Sequence, residues 1–263
     1  MVNHETMKPR ISFVVPVYNK ANTLVQSIQS IRDQTISDWE IVAVSDASTD
    51  QSEQILSMLK EPRLKKVFLP SNVGVVKAYQ EGVKRAKGKY VIFHDPDDLS
   101  LPDRAEKCLA AIGDADVLYH GLYVFSKNPS LPIMSRRYMP AEKWDKDRIF
   151  TEQYIPGVIC AKRKTLLEVR IPEDAWGMWD WMFHILLHQA GAKYQHLDNG
   201  LYEYIRFVNN SLSHSNDLSG KRLASIKWIQ NYLVKNKLVK PGHKFGKGFT
   251  EKTASHNRPP VAE

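Results

Sequence analysis

The sequence predicts an α/β protein with a mainly parallel central sheet flanked by helices, Rossmann-like in plan. Three observations carry that prediction. Short apolar runs recur through the first hundred residues, segments of helical period separate them, and a polar or acidic loop follows most runs. Alternation of this kind is the pattern of βαβ units, in which helices cover both faces of a parallel sheet.

Taken in order, Ile11 to Val15 is a continuous apolar run of strand length. Leu24, Ile28 and Ile31 then recur at helical spacing, with Asn22 or Thr23 placed to cap the start. Glu40 to Val44 reads as the second strand, and Asp50 to Leu59 as a helix with Asp50 at its N-cap. Lys65 to Leu69 is the third strand, Gly74 to Lys87 a helix ended by Gly88, and Lys89 to Phe93 the fourth strand. The second half is less regular. Ala115 to Phe125 reads as a strand, 126–150 as a long proline-punctuated loop, and Val158 to Cys160 as a short strand before a helix start near Lys164. Trp179 to Gln189 is a helix stopped near Gly191. Leu218 to Lys235 is amphipathic, with Leu223, Ile226, Ile229 and Leu233 on one face, and a Gly-, Lys- and Pro-rich end follows from Pro241.

At 263 residues, 43% hydrophobic and 25% charged, the chain has the profile of a globular protein. No stretch approaches the roughly 18 apolar residues of a membrane-spanning helix. The opening MVNHETMKPR has no apolar core, so no secretory signal is expected and a cytoplasmic location follows. Two cysteines, Cys108 and Cys160, make no disulfide framework and are expected to be ordinary buried thiols. The net charge of +8 is unevenly placed: 13 basic against 12 acidic residues over 1–100, 13 against 13 over 101–200, and 11 against 4 over 201–263. The basic end, residues 221–263, suits an anionic partner, either a membrane surface at the inner face or DNA.

In open α/β sheets, ligands bind in the crevice at the carboxyl ends of the strands. Pro16 to Asn19, Ser45 to Ser48 and His94 to Asp98 fall there. No strand is followed by Gly-x-Gly-x-x-Gly or by a Gly-Lys-Ser/Thr phosphate loop, which argues against a dehydrogenase or a P-loop nucleotidase. Asp95, Asp97 and Asp98 lie within four residues and repel one another unless a cation neutralises them. Oxygen-only ligands select Mn2+ or Mg2+, commonly shared with substrate phosphates.

The order of these motifs is specific. Ile11-Ser-Phe-Val-Val-Pro-Val-Tyr-Asn19, Ser45-Asp-Ala-Ser-Thr-Asp50, Asn72-x-Gly74-x-x-x-Ala78-x-x-x-Gly82, and Gly88 to Phe93 leading into Asp95-Pro-Asp97-Asp98 together resemble family 2 glycosyltransferases, inverting enzymes of the GT-A fold. The resemblance implies a nucleotide-sugar donor, most commonly a UDP-sugar. It implies that Tyr18 lies near the base, that Asp46 hydrogen-bonds it, and that Pro16 and Asn19 shape the pocket. It places the ribose or sugar on Asp97, the metal on Asp98, and the diphosphate or sugar on Lys77. Asp180, flanked by Trp179 and Trp181 at a helix start, resembles the family's general base, with Glu173 and Asp174 as a second acidic pair nearby. Partial desolvation by the two tryptophans raises its pKa and suits it to that task. Either tryptophan could stack on the acceptor.

The sequence departs from the family at three places. Ser45 stands for the first acidic residue of the base-binding motif and Ala47 for its usual glycine. A late Arg-x-His-x-x-Ser-x-Ser pattern reads Arg206-Phe-Val208-Asn-Asn-Ser211-Leu-Ser213, keeping Arg206 as a donor contact but replacing the histidine by Val208. The resemblance divides the chain into a GT-A domain over 1–217 and an extension over 218–263. Within the domain, 10–110 is the nucleotide-sugar half and 111–217 the acceptor half. It implies a cell-surface or lipid-linked glycan as acceptor. A hydroxymethylated DNA base is the alternative acceptor, and a catalytically silent sugar-nucleotide binder the alternative function. A nucleotidyltransferase lacks its basic Gly-rich loop here.

Overall fold

The computed structural model describes residues 8–127, 134–172, 177–206, 216–243 and 245. Among the described residues nine strands form one sheet: β1 (Ile11–Val17), β2 (Trp39–Ser45), β3 (Leu64–Phe68), β4 (Tyr90–Phe93), β5 (Leu99–Ser100), β6 (Val117–Lys127), β7 (Met134–Met139), β8 (Cys160–Lys162) and β9 (Tyr194–Arg206). Among the described residues seven α-helices accompany them: α1 (Leu24–Arg32), α2 (Ser52–Met58), α3 (Val75–Arg85), α4 (Arg104–Ile112), α5 (Arg163–Leu167), α6 (Trp179–Gln189) and α7 (Asn216–Lys235). The strand order is β3-β2-β1-β4-β8-β6-β9-β5, with β7 paired to β6 off that path.

The first half forms as its pattern predicts. β1 pairs in parallel with β2 and β4, and β2 with β3. Every residue of β1 and β2 is buried, because helices cover both faces. Strand alternation then sorts their side chains. Phe13, Val15 and Val17 face one core layer with Leu24, Ile28 and Ile31 of α1, while Val14 faces the other with Val76, Tyr79 and Val83 of α3. Beyond β4 the sheet becomes mixed. β8 is antiparallel to β4 and to β6, whereas β9 runs parallel to β6 with two register shifts. Within the segment expected to be a long loop, β7 closes an antiparallel hairpin on β6. The sequence reading assigns no element to α4, although Ala105, Cys108 and Ile112 recur at helical spacing and pack on the sheet, nor to β5 and β9, which carry no simple apolar period.

Ile226, Ile229 and Leu233 of α7 join the core layer that contains α3 and α6. The amphipathic face predicted for this helix is thus packed on the domain. Cys108 and Cys160 are buried free thiols. No described helix is long and apolar enough to cross a membrane.

Close packing of α3 on β1 depends on one glycine. A Cβ at Gly82 would lie 2.2 Å from Cγ1 of Val14, which is wholly buried. Alanine normally gains about 0.5–1 kcal/mol over glycine within a helix, whereas overpacking a core costs about 1–3 kcal/mol. Gly82→Ala is therefore expected to lower the urea midpoint despite its better helix propensity. An unchanged or higher midpoint would mean that Val14 yields freely.

Candidate active site

The sheet opens a crevice between β1 and β4. Their ladder ends at Val14 and Phe93, with the His94 N–H donating to the Val14 carbonyl at 3.1 Å. In a parallel strand, residues two apart face the same neighbour, so the next position facing β4 is Pro16. Proline has no N–H to offer, and past this point β1 has no β4 residue to bond. β2 and β3 lie on one side of β1 and β4 on the other, which makes this gap the switch point where such sheets bind ligands.

Asn19 stitches the loop after β1 to the loop after β2. It adopts a left-handed φ of 53°, which asparagine tolerates better than most residues. Its side-chain oxygen accepts the Thr49 N–H at 2.8 Å and the Asp50 N–H at 3.3 Å. Tyr18 beside it is 42% exposed at the mouth of the gap. Ala47 also has a left-handed φ, 54°, which explains why glycine suits that motif position. Ser45 is buried and donates to Glu53 at 2.8 Å, an interior bond that an acidic residue there could not make with a carboxylate. Asp46 is also buried, and its two oxygens accept the N–H groups of Val73 (2.7 Å) and Gly74 (2.8 Å). It holds the turn into α3, and only its remaining lone pairs are left for a base.

The acidic loop after β4 is tightly held. Thr23, the residue before α1, donates its hydroxyl to the Pro96 carbonyl at 2.9 Å rather than capping its own helix. Lys20 pairs with Asp97 at 2.5 Å. Asp95 accepts the Tyr79 hydroxyl at 2.7 Å, and its N–H donates to the Tyr202 hydroxyl at 2.9 Å. Asp98 is 1% exposed; one oxygen accepts the Ile205 N–H at 2.8 Å, and Oδ2 has no hydrogen-bond partner among the described residues. Burial, then the neighbouring Asp97, pushes the Asp95 carboxyl up to about 6. Burial and the charges of Asp95 and Asp97 push Asp98 well above the carboxylate range.

An orphaned carboxylate oxygen among like charges fits a hard divalent cation. Among the described residues no three acidic, histidine or cysteine side chains form a complete cage. Mn2+ and Mg2+ usually keep open positions for substrate phosphates, so an incomplete protein set fits them.

Asp180 lies in the first turn of α6. The Trp179 ring lies 5.3 Å from that of Tyr79, which in turn bonds Asp95, so a chain of contacts links the two carboxylates. The Asp180 carboxylate accepts the Trp181 N–H at 2.9 Å and the Gln153 side chain. Burial raises its pKa, against these hydrogen bonds and the charge of Arg222. The two tryptophans part company. Trp181 is wholly buried and donates its indole N–H to Ile149 at 2.7 Å, so it is core and cannot stack on an acceptor. Trp179 lines a groove of about 560 Å³ with Lys77, Leu69 and Val73. Lys77 therefore sits in this groove on α3. Glu173, Asp174, Val208, Ser211 and Ser213 lie outside the described residues, as does the side chain of Arg206, the last residue of β9.

Sequence reasoning missed four residues that build the site. Lys20, Tyr79 and Tyr202 bond the acidic loop directly, and the buried Arg104 underlies it. Only Lys20 carried a signal, since it directly follows the Tyr18-Asn19 motif.

Comparison with known proteins agrees with the fold. Residues 12–168 match the profile of the family described as Glycosyl transferase family 2. An uncharacterized glycosyltransferase of Haemophilus influenzae is 37% identical over 120 residues, covering 44% of this chain and 48% of its own. The chain spans half or less of the length of several curated relatives that it matches. S. aureus TarS, solved with UDP-GlcNAc, superposes with TM-score 0.68 at 21% identity, over 86% of this chain and 66% of that one. The mannosyltransferase PcManGT of Pyrobaculum calidifontis, solved with GDP-Man and Mn2+, gives 0.61 at 17% identity, over 95% and 70%. At these identities the likeness establishes the fold, which is the GT-A fold that the sequence predicted.

The raised carboxyls fix a sign. In the metal-free protein the folded loop holds protons that the unfolded chain releases near pH ~4, so stability is lost as pH rises past that value. Asp98→Asn keeps an oxygen for the Ile205 N–H but cannot ionise. It is expected to gain stability relative to wild type as pH rises from about 5 to about 8, and to lose any Mn2+-dependent rise in melting temperature. Melts in EDTA and in Mn2+ check both. An identical wild-type-to-variant difference at the two pH values would refute the raised carboxyl.

Proposed function

The chain belongs to glycosyl transferase family 2, and from that membership we propose that it moves a sugar from a nucleotide-diphosphate sugar to an acceptor hydroxyl with inversion at the anomeric carbon. The observation that carries the proposal is the acidic loop. Asp95, Asp97 and Asp98 share one loop at the switch point, one carboxylate oxygen there is buried without a partner among the described residues, and Trp179, next to the half-buried Asp180, stacks near the Tyr79 that bonds Asp95.

In this reading the nucleotide lies in the gap between β1 and β4. Tyr18 covers the base, Asp46 and Asn19 hold the loops that frame it, and Pro16 leaves the gap open. Asp97, steadied by Lys20, faces the ribose or sugar. Asp98 would hold Mn2+ or Mg2+, which would supply Lewis-acid stabilisation to the departing nucleoside diphosphate. Lys77 and Arg206 add positive charge for the diphosphate. Asp180 accepts the proton of the acceptor hydroxyl as its oxygen bonds the anomeric carbon and the bond to the diphosphate breaks. One in-line step needs no protein nucleophile, so none has to be found. A UDP-sugar is the proposed donor, in line with the UDP-GlcNAc held by TarS. The proposed acceptor is a glycan or lipid-linked glycan, with Trp179 the stacking platform. A flipped hydroxymethylated base has less support, because burial of Trp181 removes one of the two rings that favoured it.

Release of nucleoside diphosphate from a panel of nucleotide sugars, with Mn2+ or Mg2+, tests the proposal. One donor is expected to turn over, and Asp180→Asn to lower kcat by about 10²–10⁴-fold with little change in KM for the donor. Because burial raises the Asp180 carboxyl, kcat should fall on the acid side with an apparent pKa above the usual carboxylate value. If no donor in the panel is hydrolysed or transferred, the chain is a sugar-nucleotide binder without catalysis.

A further inference from the structure

The opposite edge of the sheet carries a second concave site. Where β1 and β4 begin, a cleft of about 530 Å³ is lined by three short segments, 8–10, 87–89 and 162–164. Sheet register brings them together, since Ile11 pairs with Tyr90 and Tyr90 with Lys162. Seven of the nine lining residues are lysine or arginine, the others being Pro9 and Gly88. Gly88 is there of necessity, because a Cβ would lie 2.7 Å from the Ile11 carbonyl carbon and the Ser12 nitrogen. The floor of the cleft is thus backbone, and its walls are cationic.

Three of the cations are already engaged. Arg10 pairs with Asp38, Lys162 with Asp116 at 3.0 Å, and Arg163 donates to the Val83 and Lys84 carbonyls at 2.9 and 2.8 Å. Glu40 lies close by, but its carboxylate accepts the Ser12 hydroxyl and the Lys87 N–H. Lys8, Lys87, Lys89 and Lys164 are exposed, and none has an ion pair among the described residues. Four ammonium groups around one hollow repel each other, and an anion inside it removes that cost. The lining has no carboxylate and no aromatic ring. Its charged groups are all hydrogen-bond donors, which selects a ligand made of acceptors with high charge density.

We propose that this cleft binds a phosphate-bearing anion, separately from the nucleotide-sugar site at the carboxyl edge. β1 spans seven residues between the two edges. At ~3.3 Å per residue the separation is about 20 Å, too far for one nucleotide sugar to reach both. The proposal does not rest on glycosyl transfer. It concerns segments whose net charge the sequence hides, for residues 1–100 and 101–200 each carry nearly equal numbers of basic and acidic side chains.

Calorimetric titration of the full chain with inorganic tripolyphosphate, in EDTA to silence the metal-dependent site, tests the inference. Wild type is expected to bind, with affinity that falls as salt rises. The combined variant Lys87→Gln, Lys89→Gln, Lys164→Gln should bind about tenfold more weakly or worse, since one charge-assisted hydrogen bond is worth that much. The same three positions changed to arginine should retain binding, which separates lost charge from lost fold, and Asp98→Asn should bind as wild type. Cosedimentation with phosphatidylglycerol vesicles distinguishes the sources. Sedimentation of wild type but not of the glutamine variant assigns a lipid headgroup, and tripolyphosphate binding without sedimentation assigns a soluble phosphate. Equal tripolyphosphate binding by wild type and the glutamine variant, or no binding by wild type at low salt, overturns the proposal.

Discussion

A guanidinium sealed inside the protein holds the acidic loop in place. Arg104 of α4 is 0% exposed and bonds no carboxylate directly. Its nitrogens donate to the carbonyls of Phe93 (3.1 Å) and Val158 (3.3 Å), to Ser100 Oγ (3.0 Å) and to His120 Nε2 (3.0 Å), and it lies 4.5 Å from the Tyr202 ring. These partners come from the end of β4, from β5, from β6 and from the turn before β8. Only a planar five-donor group spans them, so lysine is no substitute. Its charge also lowers the cost of ionising Asp95, and with burial it keeps His94 and His120 neutral. Neutral His94 can then sit between Ser27 and Ser100, tying α1 to the loop. Losing a partner of a buried charge costs about 3–5 kcal/mol, and here the loss would also free the loop that carries the candidate chemistry.

Arg104 does not complete the neutralisation. Asp95, Asp97 and Asp98 face one buried guanidinium and Lys20, so a deficit of positive charge remains, expressed as raised carboxyls and an unbonded oxygen at Asp98. The fold tolerates this because the loop is fixed from four directions, by Thr23, Tyr79, Tyr202 and the Ile205 N–H. A rigid scaffold that holds like charges together is poised to bind a cation, and it pays for that readiness in stability when none is bound.

How much of this was legible follows from the physics of each element. β1, β2 and β4 announced themselves because strands buried on both faces must be continuous apolar runs. Asp46, Asp95, Asp97 and Asp98 could be read because the switch-point rule says where strand ends matter. β9 could not, since Tyr194 to Arg206 mixes polar and apolar side chains and its two register shifts break any period. Trp179 and Trp181 look equivalent in sequence, yet residues two apart on a helix point about 200° away from each other, so one faces the groove and the other the core. Arg104 was invisible for a different reason. An arginine after a loop ordinarily lies on the surface, and only the assembled acceptors from four chain segments make its burial affordable.

The basic cleft shows the same limit from the other side. Net charge along a chain averages over neighbours in sequence, whereas a parallel sheet collects strand starts at one edge and strand ends at the other. Here the starts of β1 and β4 and the end of antiparallel β8 gather lysines, while the carboxyl ends gather aspartates. The carboxylate edge and the ammonium edge lie about 20 Å apart, roughly two Debye lengths at physiological salt. At an effective dielectric constant of about 20, unit charges that far apart attract by only about 1 kcal/mol, so each edge is left to find its own counter-ion. The sheet thus serves as an insulator between a cation-seeking end and an anion-seeking end, which allows occupancy of one without altering the charge balance at the other.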